Sequence, residues 1–365
     1  MKILHVAKKY PNALGGDATV VQNLEREQTK NGNRVFILTT NCDEIINKKN
    51  LIKFGLKDTP PNLDKITVKR LISLIDLRLK FPNILRKIKP DVVHCHSIDM
   101  GYIISPVCKK FNIPIVNQFH TGLFMLKDSD NKRGILEKYF INKSKFDKII
   151  SVNPNDVENN KSLRIRYIPN GISLSEFNGQ KKKKNIIFTL LFVGRIDKLK
   201  GLTYLFEAIS QLKSKSIRLK LNIVGGGNGI NFYKNMVNDL SLEDYITFSG
   251  KKFGKDLKEA YNKSDVFILP SLDEGFPVSL LEAWSTKTPT IITSVGAVSK
   301  ICTNNYNALV IGSRDTNKIT KAIQHLIGNP KLREKLAKNG LKEVKKYSWK
   351  KITWDIEKIY LEIAK

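Results

Sequence analysis

Residues 270–289 read PSLDEGFPVSLLEAWSTKTP, and the way this stretch divides decides the fold. Just before it, residues 266–269 (VFIL) form an apolar run of strand length and strand composition. A helix is expected from about Pro277, because proline suits a first helical turn, and Val278, Leu281, Glu282 and Ser285 then share one side. Glu274 falls in the turn between strand and helix, and Glu282 lies about two turns along the helix. The turn itself is Gly275-Phe276-Pro277, a place where backbone N–H groups can meet an anion. Two carboxylates flanking such a point suit the hydroxyls of a phosphorylated sugar or nucleotide. The same residues also fit a buried strand, a tight turn and a helix with two surface acids.

The pattern repeats upstream. Residues 188–193 read as a strand, followed by Gly194-Arg195-Ile196-Asp197-Lys198-Leu199-Lys200-Gly201 and a helix to about Lys213. Two fixed cations, Arg195 and Lys200, beside a helix N-terminus can neutralise a bound anion in place of a metal. A unit charge at about 4 Å is worth roughly 4 kcal/mol at an effective dielectric near 20. Residues 219–224 are a further strand that ends in Gly225-Gly226-Gly227-Asn228-Gly229. As a dinucleotide fingerprint this run is weak, because no acidic residue follows a second strand in the required place. Residues 245–250 (YITFSG) give the next strand, with Lys251 after it.

The N-terminal half opens with a βαβ unit: a strand at 2–7, a loop holding Gly15-Gly16, a helix at about 17–30 closed by Asn31-Gly32, and a strand at 34–40. Residues 43–64 lack periodicity and read as irregular. Residues 70–89 alternate apolar and basic side chains, and Pro82 is expected to interrupt them. They fit either a helix packed on a sheet or a basic amphipathic surface for anionic lipid. In the strand at 91–97 (DVVHCHS), His94 and His96 face one side and Cys95 the other, so the three cannot share one ion. His120 closes the strand at 113–120, at the sheet edge where ligands gather in open parallel sheets. Asp128-Ser129-Asp130, amid Lys127, Lys132 and Arg133, reads as a solvated loop and not as a metal site.

A length of 365 residues suits two domains, and 41% apolar residues exclude a disordered chain. No apolar run approaches twenty residues, and the N-terminal run is too short for a signal peptide, so residence in the cytoplasm is expected. Cys42, Cys95, Cys108 and Cys302 show no paired spacing and suggest free thiols. The net charge of +29 admits an anionic membrane, an anionic substrate or nucleic acid. Most of the cations are lysine, whereas a base reader favours arginine, and no basic and aromatic platform accompanies them; a nucleic-acid partner is not expected.

The stretch at 270–289 closely resembles the E-x7-E signature of the retaining glycosyltransferases of family 4 (group 1). The resemblance extends over nearly the whole chain, through the glycine pair at 15–16, the G-R-x4-K-G run at 194–201 and the YIPNGISLSEF string at 167–177. It implies an α/β chain of GT-B fold, two Rossmann-like domains with parallel sheets facing a central cleft. The expected parts are an acceptor-binding domain at 1–172, a linker at 173–186, a nucleotide-sugar domain at 187–345 and a helix at 346–365 that crosses back to the first domain. The implied activity is hexosyl transfer from a nucleotide sugar, UDP- or GDP-linked, to a glycan or lipid-linked acceptor at an anionic membrane surface, with no metal or other cofactor. The alternative is a catalytically silent scaffold of the same fold. By resemblance Arg195 and Lys200 hold the diphosphate, Glu274 and His120 orient the sugar, and Glu282 binds the ribose. Gly15, Gly16, Gly225, Lys251, Gly275, Phe276 and Pro277 complete the donor site. The chain departs from the family at Ala18, Lys287, Ala297, Lys300 and Ala308, none of them assigned to chemistry; Lys287 and Ala308 stand where glycine is usual.

Overall fold

A computed structural model describes residues 1–8, 10, 16–40, 49–55, 68–120, 132–177 and 185–364, with the backbone alone described at 16–17 and 132–134. The chain divides into two compact units. One is Met1–Asn170 together with Trp349–Lys365, and the other is Gly171–Ser348.

The first unit carries β1 (Lys2–Ala7), α1 (Gly16–Lys30), β2 (Arg34–Thr40), β3 (Leu51–Phe54), α2 (Val68–Ile88), β4 (Val92–Cys95), α3 (Ile98–Lys110), β5 (Ile115–Phe119), α4 (Lys132–Lys143), β6 (Lys148–Ser151), α5 (Pro154–Asn159) and β7 (Ile165–Tyr167). Its strands are parallel, in the order β3-β2-β1-β4-β5-β6-β7. The strand order reverses between β1 and β4, which makes that gap the switch point of the sheet. Strand pleating sends alternate residues to opposite faces. Leu4, Val6, Val93 and Cys95 therefore pack with Leu77, Phe81 and Leu85 of α2 and Met100 and Ile104 of α3, while Ile3, Val92, Val116 and Ile150 face Val20 and Leu24 of α1.

The second unit repeats the plan with β8 (Phe188–Val193), α6 (Leu202–Ser214), β9 (Leu219–Val224), α7 (Ile230–Asp239), β10 (Ile246–Gly250), α8 (Gly254–Asn262), β11 (Val266–Leu269), α9 (Val278–Ser285), β12 (Thr290–Thr293), α10 (Val298–Ile301), β13 (Leu309–Ile311), α11 (Thr316–Gly328) and α12 (Pro330–Val344). Its parallel sheet runs β10-β9-β8-β11-β12-β13, with the switch point between β8 and β11. The chain then returns to the first unit as α13 (Trp349–Ile363), whose Ile352, Ile356, Ile359 and Tyr360 join the cluster formed by Ile3, Val20 and Leu24.

Two local expectations fail. Helix α2 continues through Pro82. Proline removes one backbone donor, but Leu77, Phe81, Leu85 and Ile88 are buried on both sides of it and hold the helix to the sheet. Within 43–64, Leu51–Phe54 forms an edge strand paired with β2, because four residues suffice when a partner strand supplies the bonds. Cys95, Cys108 and Cys302 are free thiols. No helix among the described residues is long and apolar enough to cross a membrane. Cys42, Gly15, the DSD run at 128–130 and the lysine run at 181–184 lie outside the described residues.

Candidate active site

The second unit gathers its charged groups at the carboxyl ends of β8 and β11, beside the switch point. Beyond β8 the backbone enters a single 3-10 turn at Lys198–Lys200, capped by Asp197, whose carboxylate accepts from the Leu199 N–H at 3.0 Å. Gly201 ends that turn at φ +65°, and a Cβ there would stand 2.1 Å from the Pro270 carbonyl oxygen. Only glycine fits both the left-handed backbone and the close approach. The Leu272 N–H donates to the Leu199 carbonyl at 2.7 Å, so the two loops form one framework.

This framework joins two motifs far apart in sequence. Lys200 Nζ lies 2.5 Å from Glu274 Oε1, and the Ser271 hydroxyl donates to the same oxygen at 2.6 Å. Both charged side chains are largely covered, with 17% and 9% of their surfaces exposed. Gly296, at φ +53°, closes over them from beyond β12; a Cβ there would overlap the Glu274 carbonyl oxygen at 1.6 Å. Asp273 adds a second carboxyl beside Glu274. Burial, and then the charge of Glu274, push its pKa up to about 6. Arg195 is more exposed, and its Nε donates to Asp197.

The turn expected to meet an anion is present. Gly275, Phe276 and Pro277 lead into α9 with Pro277 as the cap, and the Phe276 ring is buried against Tyr347. On α9, the Tyr261 hydroxyl from α8 donates to Glu282 Oε2 at 2.8 Å. Burial pushes the Glu282 carboxyl up to about 7 against that hydrogen bond. Gly225 follows β9, its N–H donating to the Gly250 carbonyl at 2.8 Å, and the Lys251 side chain lies across Gly226. Arg195, Lys200, Gly225, Glu274 and the 275–277 turn thus occupy neighbouring strand ends, while Glu282 is held separately by Tyr261.

Gly16 and His120 belong to the first unit. Gly16 opens α1, and His120 follows β5. At this switch point histidines gather instead of cations. His5 on β1 and His94 on β4 are in register, and His96 and His120 continue the group. His94 and His96 share a face with Val92, and Cys95 turns to the opposite one, as alternation requires. Burial drives the pKa of His5 down to about 4 and those of His94 and His96 well below the ordinary histidine value, so all three are neutral.

His5, His94 and His96 also carry ring nitrogens within 4.8 Å of one another, a grouping that the sequence reading missed because His5 stands so far from the other two. A tetrahedral ion at about 2.0–2.1 Å from each nitrogen needs them about 3.3 Å apart. His5 Nδ1 and His96 Nε2 are instead bonded to each other at 2.8 Å, and the His94 and His96 rings stack with their centroids 4.2 Å apart, so three in-plane lone pairs do not converge on one point. The residues do not fit a metal. Tyr261, Ser271 and Asp273 were missed as well; Ser271 and Asp273 stand inside the deciding stretch, while nothing local marks Tyr261.

Two family models match the chain. The model described as Glycosyltransferase Family 4 matches residues 14–176, and that described as Glycosyl transferases group 1 matches residues 174–343. An uncharacterized glycosyltransferase of Methanocaldococcus jannaschii is 28% identical over 376 aligned residues, covering 100% of this chain and 99% of the relative. A UDP-Gal:alpha-D-GlcNAc-diphosphoundecaprenol alpha-1,3-galactosyltransferase of Escherichia coli is 27% identical over 288 residues, covering 70% of this chain and 72% of that one. Among solved structures, a sucrose-phosphate synthase from Thermosynechococcus elongatus superimposes with a TM-score of 0.85 at 20% identity, covering 100% of this chain and 99% of its own.

Proposed function

This chain belongs to the glycosyltransferases of family 4, group 1, with the GT-B fold, and on that basis we propose that it moves a hexose from a UDP- or GDP-sugar to a hydroxyl acceptor, retaining the anomeric configuration without a metal ion. The observation that carries this reading is the 2.5 Å contact of Lys200 with Glu274. It sets the cation assigned to the departing diphosphate beside the carboxylate assigned to the sugar, as a donor's phosphate and sugar are themselves joined. In the reaction the bond from the anomeric carbon to the diphosphate oxygen breaks, a bond to the acceptor oxygen forms, and the acceptor's proton leaves with the diphosphate. Arg195 and Lys200 stabilise the charge that develops on the leaving group. Glu274 and His120 orient the sugar, and Glu282 holds the ribose; no side chain is assigned as a covalent nucleophile.

The test is release of nucleoside diphosphate from a panel of UDP- and GDP-hexoses, with and without EDTA. Turnover that survives EDTA is the expected result. Loss of turnover that magnesium or manganese restores overturns the metal-free reading, and no release from any donor favours the silent scaffold.

A second observation bears on the acceptor. Helix α2 buries one stripe, Leu77, Phe81 and Leu85, and exposes another: Val68, Leu71, Ile72, Ile75 and Leu79, with Leu79 at 71% exposure. These follow helical spacing, and Lys69, Arg78 and Lys80 flank them. On α4, Ile135 and Tyr139 are exposed too. An apolar stripe edged with lysine suits an anionic bilayer surface, and a lipid-linked acceptor resembling that of the E. coli relative would be met there, at the cytoplasmic face. Sedimentation with anionic vesicles, reversed by salt and weakened by Leu71→Glu with Leu79→Glu, supports this; equal binding to neutral vesicles, or none to either, sinks it.

A further inference from the structure

The buried polar groups of the first unit form an unbroken line. Tyr360 of α13 meets His94 Nδ1 at 2.6 Å and Gln28 Nε2 at 3.4 Å; Gln28 Oε1 meets His5 Nε2 at 2.8 Å; His5 Nδ1 meets His96 Nε2 at 2.8 Å; and His96 Nδ1 meets His120 Nε2 at 3.0 Å. A neutral imidazole has one donor and one acceptor nitrogen, so a hydrogen bond at one end dictates the role of the other. The glutamine amide is the member whose two ends differ. Its oxygen only accepts, so His5 Nε2 carries the proton and His5 Nδ1 the lone pair. His96 Nε2 must then donate to His5, and His96 Nδ1 must accept. His120 Nε2 must therefore donate to His96, which leaves the lone pair of His120 on Nδ1. The amide nitrogen of Gln28 donates to the Tyr360 oxygen, and the Tyr360 hydroxyl, which can donate or accept, then gives its proton to His94 Nδ1.

We propose that Gln28, His5 and His96 are positioning residues that fix His120 as its Nε2–H tautomer, so that its lone pair lies on Nδ1, a covered atom that a sugar hydroxyl meets once the ring is uncovered. The last clause rests on the sugar-facing role proposed above for His120; the tautomer itself does not. The neutrality of His5 and His96, imposed by burial, is what keeps the line in one direction, because a second proton on either ring would set two donors face to face. With the wrong tautomer, His120 would present an N–H where an acceptor is needed.

The experiment is two-bond 1H–15N correlation of the histidine rings in the full chain labelled at histidine, with His120 assigned by His120→Gln. Expected in the wild type is the Nε2–H pattern for His5, His96 and His120. Gln28→Leu removes the element of fixed direction and should give a mixture of tautomers at His120, with turnover about tenfold lower. If Gln28→Leu does not fold, Tyr360→Phe keeps the ring, deletes the hydroxyl bonded to Gln28, and is read in the same spectrum. An Nδ1–H pattern at His120 in the wild type, or a tautomer indifferent to both variants, overturns the proposal. So does stoichiometric uptake of added zinc by His5, His94 and His96, since it needs lone pairs that the line occupies. A tautomer that follows Gln28 while turnover stays unchanged upholds the line and removes His120 from the sugar site.

Discussion

The two sheets share one topology and use their switch points in opposite ways. In the second unit the ends of β8 and β11 carry Lys200, Glu274, Asp273 and Arg195, groups that bear or exchange charge. In the first unit the gap between β1 and β4 is filled by neutral histidines bonded to one another and to Gln28 and Tyr360. A buried charge, Asp99, pairs with Lys8 at 3.2 Å and with Arg70, and the two cations, Lys8 first, hold the carboxyl well below the usual carboxylate range against its burial. One strand arrangement thus offers a site for charge and a site for orientation, and the side chains at the strand ends choose between them.

If that contrast is right, deleting a charge damages stability in one unit and turnover in the other. Asp99→Asn should cost about 3–5 kcal/mol in urea unfolding, because it takes the counter-ion from two covered cations. A loss under about 1 kcal/mol would show the first unit to be as tolerant as a surface. Arg195→Ala should instead lower kcat about a hundredfold, roughly 2.7 kcal/mol, with the unfolding midpoint nearly kept, and Lys200→Ala should lower kcat as much while also costing stability, because it leaves the covered Glu274 carboxylate without its counter-ion. Near-native kcat in both variants breaks the diphosphate assignment.

Glu282 sharpens the comparison through pH. With its carboxyl near 7, the ionised fraction rises about tenfold between pH 6 and 8, and donor affinity should rise by about the same factor if the ribose hydroxyls bond to the carboxylate. The stability of the free protein runs the other way. The fold keeps the proton to about pH 7, whereas the unfolded chain releases it near 4.5, so the contribution is complete below 4.5 and fades as pH climbs to 7. Glu282→Gln should flatten both profiles; calorimetric titration with the nucleoside diphosphate and unfolding across that range read them. The smallest effect concerns a departure from the family. Lys287 sits just past α9 at φ +55°, a position that favours glycine. Lys287→Gly should stabilise by about 0.5–1 kcal/mol, and a destabilisation would mean that the lysine side chain has a contact of its own.

The difference between the units also explains what the sequence made legible. Lys200 and Glu274 lie 74 positions apart, yet each stands in a short run whose glycines and prolines announce the turn that positions it. Strands β8, β9 and β11 were bounded correctly because apolar runs of that length have few other uses in a globular chain. The line from Tyr360 to His120 has no such signature. Its members come from α13, α1, β1 and the segments after β4 and β5, and no spacing relates Gln28 to His5 before the sheet and both helices exist. Pro82 shows the same limit in reverse, for a local rule predicted a break and burial of the surrounding stripe overrode it.

The return of α13 has a consequence during synthesis. A ribosome extrudes the N-terminal segment first, then all of the second unit as one uninterrupted stretch, and only afterwards the helix that carries Trp349, Ile352, Ile356, Ile359 and Tyr360. The second unit can fold while translation continues, whereas the sheet begun at Lys2 waits through 178 intervening residues, Gly171–Ser348, with the face formed by Ile3, Val92, Val116 and Ile150 lacking its last cover. During that wait the nascent chain shows chaperones an apolar surface.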